Sequence, residues 1–306
     1  MPGERRACAF LTMADESGFV TDYRPGIPPL EALGWTVECV PWRGPGRDWS
    51  RYDAVYIAAP WDYTEAPDAF LATLGAIEAS GALLVNPLAL VRWNLDKRYL
   101  QDLERRGVAT VPSLWCERFG DATPDAWFGE LGADRLVVKP RIGANAERTY
   151  VLDGPPAPMP AGTLARAFAQ RPFIVQPFIA AIRTEGEYSL FYLGGKLSHA
   201  IRKLPKAGDF RVQEEHGADI RPATPDADLV AAGDVALAAV DPVPAYARAD
   251  FVRGADGRFL LMELELIEPS LYLRMDPGAP GRFAAALDDY VRRHRAGAPG
   301  GPKSPS

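Results

Sequence analysis

The stretch Arg258–Leu266, RFLLMELEL, sets two carboxylates, Glu263 and Glu265, one residue apart in an otherwise apolar run. Alternate residues of a strand share a face, so both acids point the same way, about 7 Å apart, while Met262, Leu264 and Leu266 point into a core. An acidic pair on so apolar a strand is costly if buried without partners. Asp250 lies on the preceding strand-like run. If Asp256-Gly257 form the centre of the connecting turn, Asp250 falls opposite Glu263; a turn centred one residue earlier places it diagonally across. Either way three carboxylates converge. Oxygen-only ligation suits hard cations, with Mg²⁺ preferred where phosphates supply the remaining ligands. Two such ions side by side can clamp a transferring phosphoryl group. Periodicity alone equally describes an edge strand with solvated acids.

Cations tip the balance toward an anion site. Lys139 ends the apolar run LVVK and precedes a small-residue loop, Arg141–Arg148. Such a loop brings backbone N–H groups onto phosphates, and the lysine adds a point charge. Taken alone, Lys139 reads as a surface strand end. Lys97, in NLDKRYL, sits at the start of a helix, where its plain reading is a solvated residue paired with a nearby acid. Arg202, Lys203, Lys206 and Arg211 crowd one polar stretch, which is either an anion site or a solvated loop. Arg211 is placed to stabilise transition-state charge in phosphoryl transfer. Trp61-Asp62-Tyr63 follow an apolar strand, at the end where parallel sheets bind ligands, or form a packed loop. His199 alternates with apolar neighbours and reads as a core histidine. There is no GxxxxGK[ST] or GxGxxG motif, so a nucleotide must be held another way.

The elements that position these residues fall into three groups. Ala7–Leu11, Ala54–Ala59 and Ala82–Val85 are strand-like, with a helix over Pro67–Ser80, which predicts an open, mostly parallel α/β sheet over about residues 1–95. A helix is expected from Leu95 to Arg106, stopped by Gly107. Leu136–Lys139 and Phe173–Ile179 read as strands, the second broken by Pro177, with a Pro/Gly-rich loop at Gly154–Gly162. A hairpin turns at Gly194-Gly195 between Tyr188–Leu193 and Lys196–Arg202. Pro205–Asp219 is a polar loop, Asp226–Val240 a helix, Tyr246–Val252 and Arg258–Leu266 strands, and Gly281–Arg293 a final helix. The tail at 297–306 is expected to be disordered.

Composition narrows the class. With 306 residues, 47% hydrophobic and 24% charged, the chain is an ordinary globular protein of two or three packed units. No apolar run reaches the length of a membrane span, and the N-terminus lacks a signal-peptide run, so a cytoplasmic location is the default. A net charge of −6 argues against a nucleic-acid footprint. Cys8, Cys39 and Cys116 are widely spaced and odd in number, and only three histidines are present. Neither a disulfide framework nor a histidine-based metal site is indicated.

An ordered series of segments, NLDKRYL, LVVKP, VQPFI, GEYSL, HAIRK, GDFRVQ, ARADFV and LMELELIEPS, resembles the ATP-grasp superfamily in its glutathione synthetase and RimK-type branch. Within it the chain is most similar to the cyclo-ligase that closes the cycloserine ring and to a broad set of bacterial relatives. The resemblance implies an ATP-grasp fold: an N-terminal parallel α/β domain (1–95), a lid (96–178) and a mainly antiparallel C-terminal domain (179–296). It implies ATP and two Mg²⁺ ions, with Mn²⁺ as a substitute. Lys97 and Lys139 match the lysines on the phosphates, and Gly143 and Ala144 lie in the matching phosphate loop, which here has one glycine. Gln176, Phe178 and Ile179 match the adenine hinge, and Glu187 the acid near ribose. Arg211 matches the arginine near the γ-phosphate. Asp250, Glu263 and Glu265 match the metal ligands, where the commoner pattern has Asn in place of Glu265. Arg202 and Lys203 match positions near substrate or phosphate, and Glu268 and Ser270 line the substrate pocket. The implied activity is ATP-dependent ligation of a small amino-acid-like substrate, cyclising or intermolecular. The alternatives are addition of amino acids to a peptide or protein terminus and nucleotide binding without chemistry. Homodimers are common in the superfamily.

Overall fold

A computed structural model describes residues 6–44, 46–120, 123–154 and 161–296. The tail expected to be disordered, and residues 155–160 of the Pro/Gly-rich stretch, lie outside them. Among the described residues the chain forms three sheets.

The first sheet is parallel, in the order β2 (Trp35–Pro41), β1 (Arg6–Thr12), β3 (Ala54–Ala59), β4 (Leu83–Val85). β3 is apolar and buried throughout, as a strand covered on both faces must be. Helix Pro67–Ala79 buries Phe70, Leu74 and Ile77 against one face, and helix Ala279–Ala296 brings Phe283, Leu287 and Tyr290 to the other. β2 was not evident in sequence, because an edge strand carrying exposed Thr36, Glu38 and Cys39 has a weak apolar signal.

The second sheet is antiparallel, in the order β5 (Leu114–Cys116), β8 (Phe173–Pro177), β6 (Arg135–Pro140), β7 (Tyr150–Asp153). Strand alternation decides its two faces. Leu136, Val138, Phe173 and Val175 pack around Trp127 under helix Pro124–Leu131, which leaves Val137, Lys139, Ile174 and Gln176 on the opposite face.

The third sheet runs β11 (Asp219–Pro222), β10 (Lys196–Leu204), β9 (Glu187–Leu193), β12 (Tyr246–Arg253), β13 (Phe259–Glu265), all antiparallel. The expected β9–β10 hairpin is present, with Gly194 and Gly195 both at positive φ. One sheet face packs on helices Tyr99–Arg105 and Ala227–Ala238 through Tyr192, Ala249, Phe251 and Leu264. The other presents Lys203, Glu187, Ser189, Asp250 and Arg248 in adjoining strands.

β13 would leave an open edge of unpaired backbone groups. Residues 86–111 close it. Asn94 donates to Leu264 O at 2.8 Å and accepts from Leu266 N at 2.9 Å; Tyr99 Oη accepts from Leu264 N at 2.9 Å; Leu261 exchanges backbone bonds with Ala109 and Val111. The helix expected from Leu95 to Arg106 is two helices, Leu88–Leu95 and Tyr99–Arg105. Lys97 therefore occupies the junction rather than a helical turn, and the docked junction sets it beside β13.

Candidate active site

Two adjacent strands of the third sheet build the acidic core of the site. Asp250 pairs with Glu263 and Arg248 with Glu265 across β12–β13. The pairing of Asp250 with Glu263 is the one expected for a turn centred on Asp256-Gly257, though the chain reaches it by another route. The loop begins after the Arg253–Phe259 pair, and a β-bulge between Asp250 and Phe251 skips one residue, bringing Asp250 from Met262 to Glu263. The same bulge corrects a second expectation. Met262 does not share the core face with Leu264 and Leu266; it lines the cavity beside Glu263, while Phe259, Leu261, Leu264 and Leu266 form the core face.

The carboxylates are interleaved with cations. Lys97 Nζ lies 2.7 Å from Glu263 Oε1 and donates to Gly143 O at 3.0 Å. Arg248 holds Asp250 at 3.0 Å, pairs with Glu265, and donates to Ser270 O at 3.3 Å. Lys203 bridges Glu187 at 2.8 Å and Asp250 at 3.4 Å, and Ser189 Oγ donates to Asp250. Like charges brought together in a low dielectric repel, so buried acids need such partners. Among the described residues no three His, Cys, Asp or Glu side chains form a metal-holding group on their own. The three predicted ligands share one wall but are separated by these ion pairs.

The electrostatics follow from burial set against neighbours. Burial pushes Asp250 and Glu263 upward, but the cations outweigh it and hold both below the usual carboxylate range: Arg248 and Lys203 for Asp250, Lys97 and Lys139 for Glu263. Burial dominates at Glu187, which is raised despite Lys203. Glu265 is pushed up to about 7 by burial, against the pull of Arg248. Burial and then the Glu265 charge push Glu268 up to about 8. Lys139 is lowered by burial. A lysine with a depressed pKa gains most from an anion brought to it.

The opposite wall comes from the second sheet. Lys139, Val137 and Gln176 line the cavity, with Gln176 Nε2 donating to Ser113 Oγ at 2.9 Å. Val111, Phe178, Ile179, Ile182, Val212 and Met262 line the same cavity as an apolar slot, with Leu260 packed behind them. Gly143 and Ala144 line the same cavity, in a loop where Asn145, Ala146 and Arg148 all adopt φ 53°. Non-glycine residues rarely occupy that region, so the loop stores strain that a glycine-rich version would lack. Its base is pinned by Arg141, whose Nε donates to Asp96 at 2.9 Å and whose Nη1 donates to Glu117 at 3.0 Å.

Arg211 lies at the mouth, held by Asp209 at 2.8 Å, and lines both the cavity and the cleft outside it. Glu268 and Ser270 also line the cavity. Arg202 is not gathered with the rest. It pairs with Tyr188 across β9–β10, while its neighbour Lys203 pairs with Glu187. Alternation therefore turns Arg202 to the far face of the sheet, beside the Tyr188 hydroxyl. Sequence reading missed Arg248. Its signal was present in ARADFV, because a residue two before Asp250 on a strand shares its face.

A face holding Lys97, Lys139, Lys203 and Arg248 above hard oxygen donors, next to an apolar slot, can bind a polyphosphate bearing a planar group, together with divalent cations.

Comparison with known proteins agrees with this chemistry. Residues 8–86 match the family model described as the N-terminal domain of D-cycloserine synthetase DcsG. The cycloserine biosynthesis protein DcsG of Streptomyces lavendulae is 33% identical over 282 residues, covering 89% of this chain and 94% of that protein. The crystal structure of D-cycloserine synthetase DcsG superposes with a TM-score of 0.82 at 32% identity, covering 93% of this chain and 99% of that one. Two more distant structures share the fold. A D-alanine–D-alanine ligase from Bacillus anthracis complexed with ATP has a TM-score of 0.68 at 16% identity, covering 95% and 99%. The ATP-grasp ligase PsnB with a precursor variant, Mg and ADP has a TM-score of 0.64 at 17% identity, covering 94% and 99%.

Proposed function

Because the chain belongs to the family of ATP-grasp C–N bond-forming ligases that includes DcsG, we propose that it uses ATP to convert the carboxylate of a small amino-acid-like substrate into an acyl phosphate. A nitrogen of the same or a second molecule then displaces phosphate. The observation that carries this reading is the cavity wall on which Lys97, Lys139, Lys203 and Arg248 alternate with Asp250, Glu263 and Glu265. Phosphoryl transfer asks little covalent chemistry of a protein, and much positioning and charge stabilisation.

In this reading the apolar slot around Phe178, Ile179 and Met262 takes the adenine, with the edge of the ring meeting the backbone after Gln176. Glu187 lies near the ribose. Lys97, Lys139 and the backbone of Gly143 and Ala144 bind the phosphates. The segments 1–95, 96–178 and 179–296 act as substrate-side domain, lid and metal-bearing domain. Arg248 faces the reacting carboxylate, and Arg211 closes over the outgoing phosphoryl charge from the mouth.

The donor set fits Mg²⁺. It is all oxygen, and Mg²⁺ is ordinarily held by one or two carboxylates plus phosphate and water rather than by a complete protein cage, in keeping with acids that share a wall without clustering. Asp250, Glu263 and Glu265 would hold the ion or ions, and bound Mg²⁺ would neutralise phosphate charge. Lys97 and Arg248 pair with these carboxylates in the chain by itself, so they are freed to turn toward the nucleotide.

The test is ADP release across a panel of amino acids and their derivatives, with mass spectrometry of the products. Turnover with at least one, abolished in Glu263→Gln and in Lys139→Ala, supports the reading. Unchanged turnover in both variants rejects the site.

A further inference from the structure

We propose that Glu268 accepts the proton released by the attacking nitrogen in the ligation step, an assignment that rests on the acyl-phosphate reading above. Four other carboxylates, Glu187, Asp250, Glu263 and Glu265, stand on the inner wall, and each has a lysine or arginine within ion-pair distance. Glu268 is equally inside the cavity, 8% exposed, yet among the described residues it makes no ion pair. Its side chain meets the Tyr63 hydroxyl instead. A carboxylate tied to a cation is a poor base. One held only by a neutral donor keeps its basicity, and burial enhances it.

The backbone around Glu268 is built for position. Residues 267–271 follow β13 without regular structure, so their carbonyls need partners. Side chains from separate elements supply them. Tyr246 Oη donates to Ile267 O at 2.8 Å, Trp61 Nε1 to Glu268 O at 3.1 Å and Arg248 to Ser270 O at 3.3 Å; His199 Nε2 lies 3.0 Å from Leu271 O. A loop clamped at four carbonyls presents its side chain in one place, as proton transfer demands. The clamps come from β10, β12 and the Trp61–Glu65 turn of the first sheet, so the base sits where the substrate-side unit meets the phosphate wall. The charged groups around it are Glu265, Lys97 and Arg248, with Tyr63 as the neutral donor.

The step balances as follows. The nitrogen lone pair bonds to the acyl carbon, and the carbon–oxygen bond to phosphate breaks. Inorganic phosphate leaves with that electron pair. The surplus N–H proton passes to the Glu268 carboxylate in its ionised form, so ligation rises with pH across the range in which burial keeps this acid protonated.

Hydroxylamine tests the assignment, because it is an uncharged, strongly nucleophilic amine at neutral pH and traps acyl phosphates as hydroxamates without a protein base. With the substrate that releases ADP from the wild-type enzyme, Glu268→Gln should form hydroxamate within about threefold of wild type, while ligated product falls by about a hundredfold or more. Glu268→Asp, which keeps a carboxylate, should recover part of the ligation. Three results overturn the proposal: ligation within about threefold of wild type in Glu268→Gln, loss of hydroxamate in step with product, or equal defects in Gln and Asp variants. Wild-type enzyme that ligates but yields no hydroxamate overturns the acyl-phosphate reading instead.

Discussion

Lys97 reaches Glu263 at 2.7 Å while also donating to Gly143 O, so one ammonium joins β13 to the loop that follows β6. Lys97→Met removes both links and, with them, the phosphate contact proposed above. Nucleotide affinity should fall by about a hundredfold, on the order of 3 kcal/mol, as expected for a charge-assisted contact. Fluorescent-nucleotide titration measures it; affinity within threefold of wild type would discard this role.

Arg248 spans Asp250 and Glu265, and its loss leaves Glu265 without a cation while Asp250 keeps Lys203. Arg248→Met should cost turnover by about a thousandfold, through lost charge stabilisation, and weaken folding by about 3 kcal/mol. Arg248→Met/Glu265→Leu removes the stranded acid and should regain much of the folding but none of the turnover. Kinetics and urea melts of the two variants decide; additive stability losses count against the pairing.

Asn94 is buried and supplies both a donor and an acceptor to the open edge of β13. Asn94→Ala strands two backbone groups and should destabilise by about 2–4 kcal/mol. Because the same edge sets Lys97, nucleotide binding should weaken as well. Denaturant unfolding with a matched binding titration tests both, and a loss under about 0.5 kcal/mol would contradict the edge-capping account.

Glu268, pushed up to about 8, makes stability depend on pH. Between the unfolded value near 4.3 and about 8, the native state keeps a proton that the unfolded chain has released. Stability is therefore full below this window and is lost as pH rises through it, by up to about 1.4 kcal/mol per pH unit. Glu268→Gln removes that dependence, so its urea midpoint should fall less than that of wild type from pH 5 to 8. Parallel curves would show that Glu268 is not raised.

Ion pairs explain why the predicted carboxylates were easier to find than to arrange. Glu263 and Glu265 stood out because acids on an apolar strand need an explanation, and strand alternation placed them together. Arg248 shared that alternation and was overlooked, since an arginine on a half-buried strand has many ordinary uses. Arg202 and Lys203 were indistinguishable as adjacent cations until the β9–β10 register sent one to the cavity and the other to the far face. In the second sheet, β5 and β7 are three and four residues long, too short for periodicity to register.

By itself the sequence determined the alternation of most elements, the acidic strand and the lysine near the end of β6, because these follow from local period and residue type, while the ordered series of motifs carried the resemblance to a ligase family. Tertiary structure decided the β-bulge that brings Asp250 opposite Glu263, the capped edge that carries Lys97 there, and the cation given, among the described residues, to Glu187, Asp250, Glu263 and Glu265 but not to Glu268. Each of these depends on which backbone groups lie next to one another across strands distant in sequence, and no local pattern encodes that.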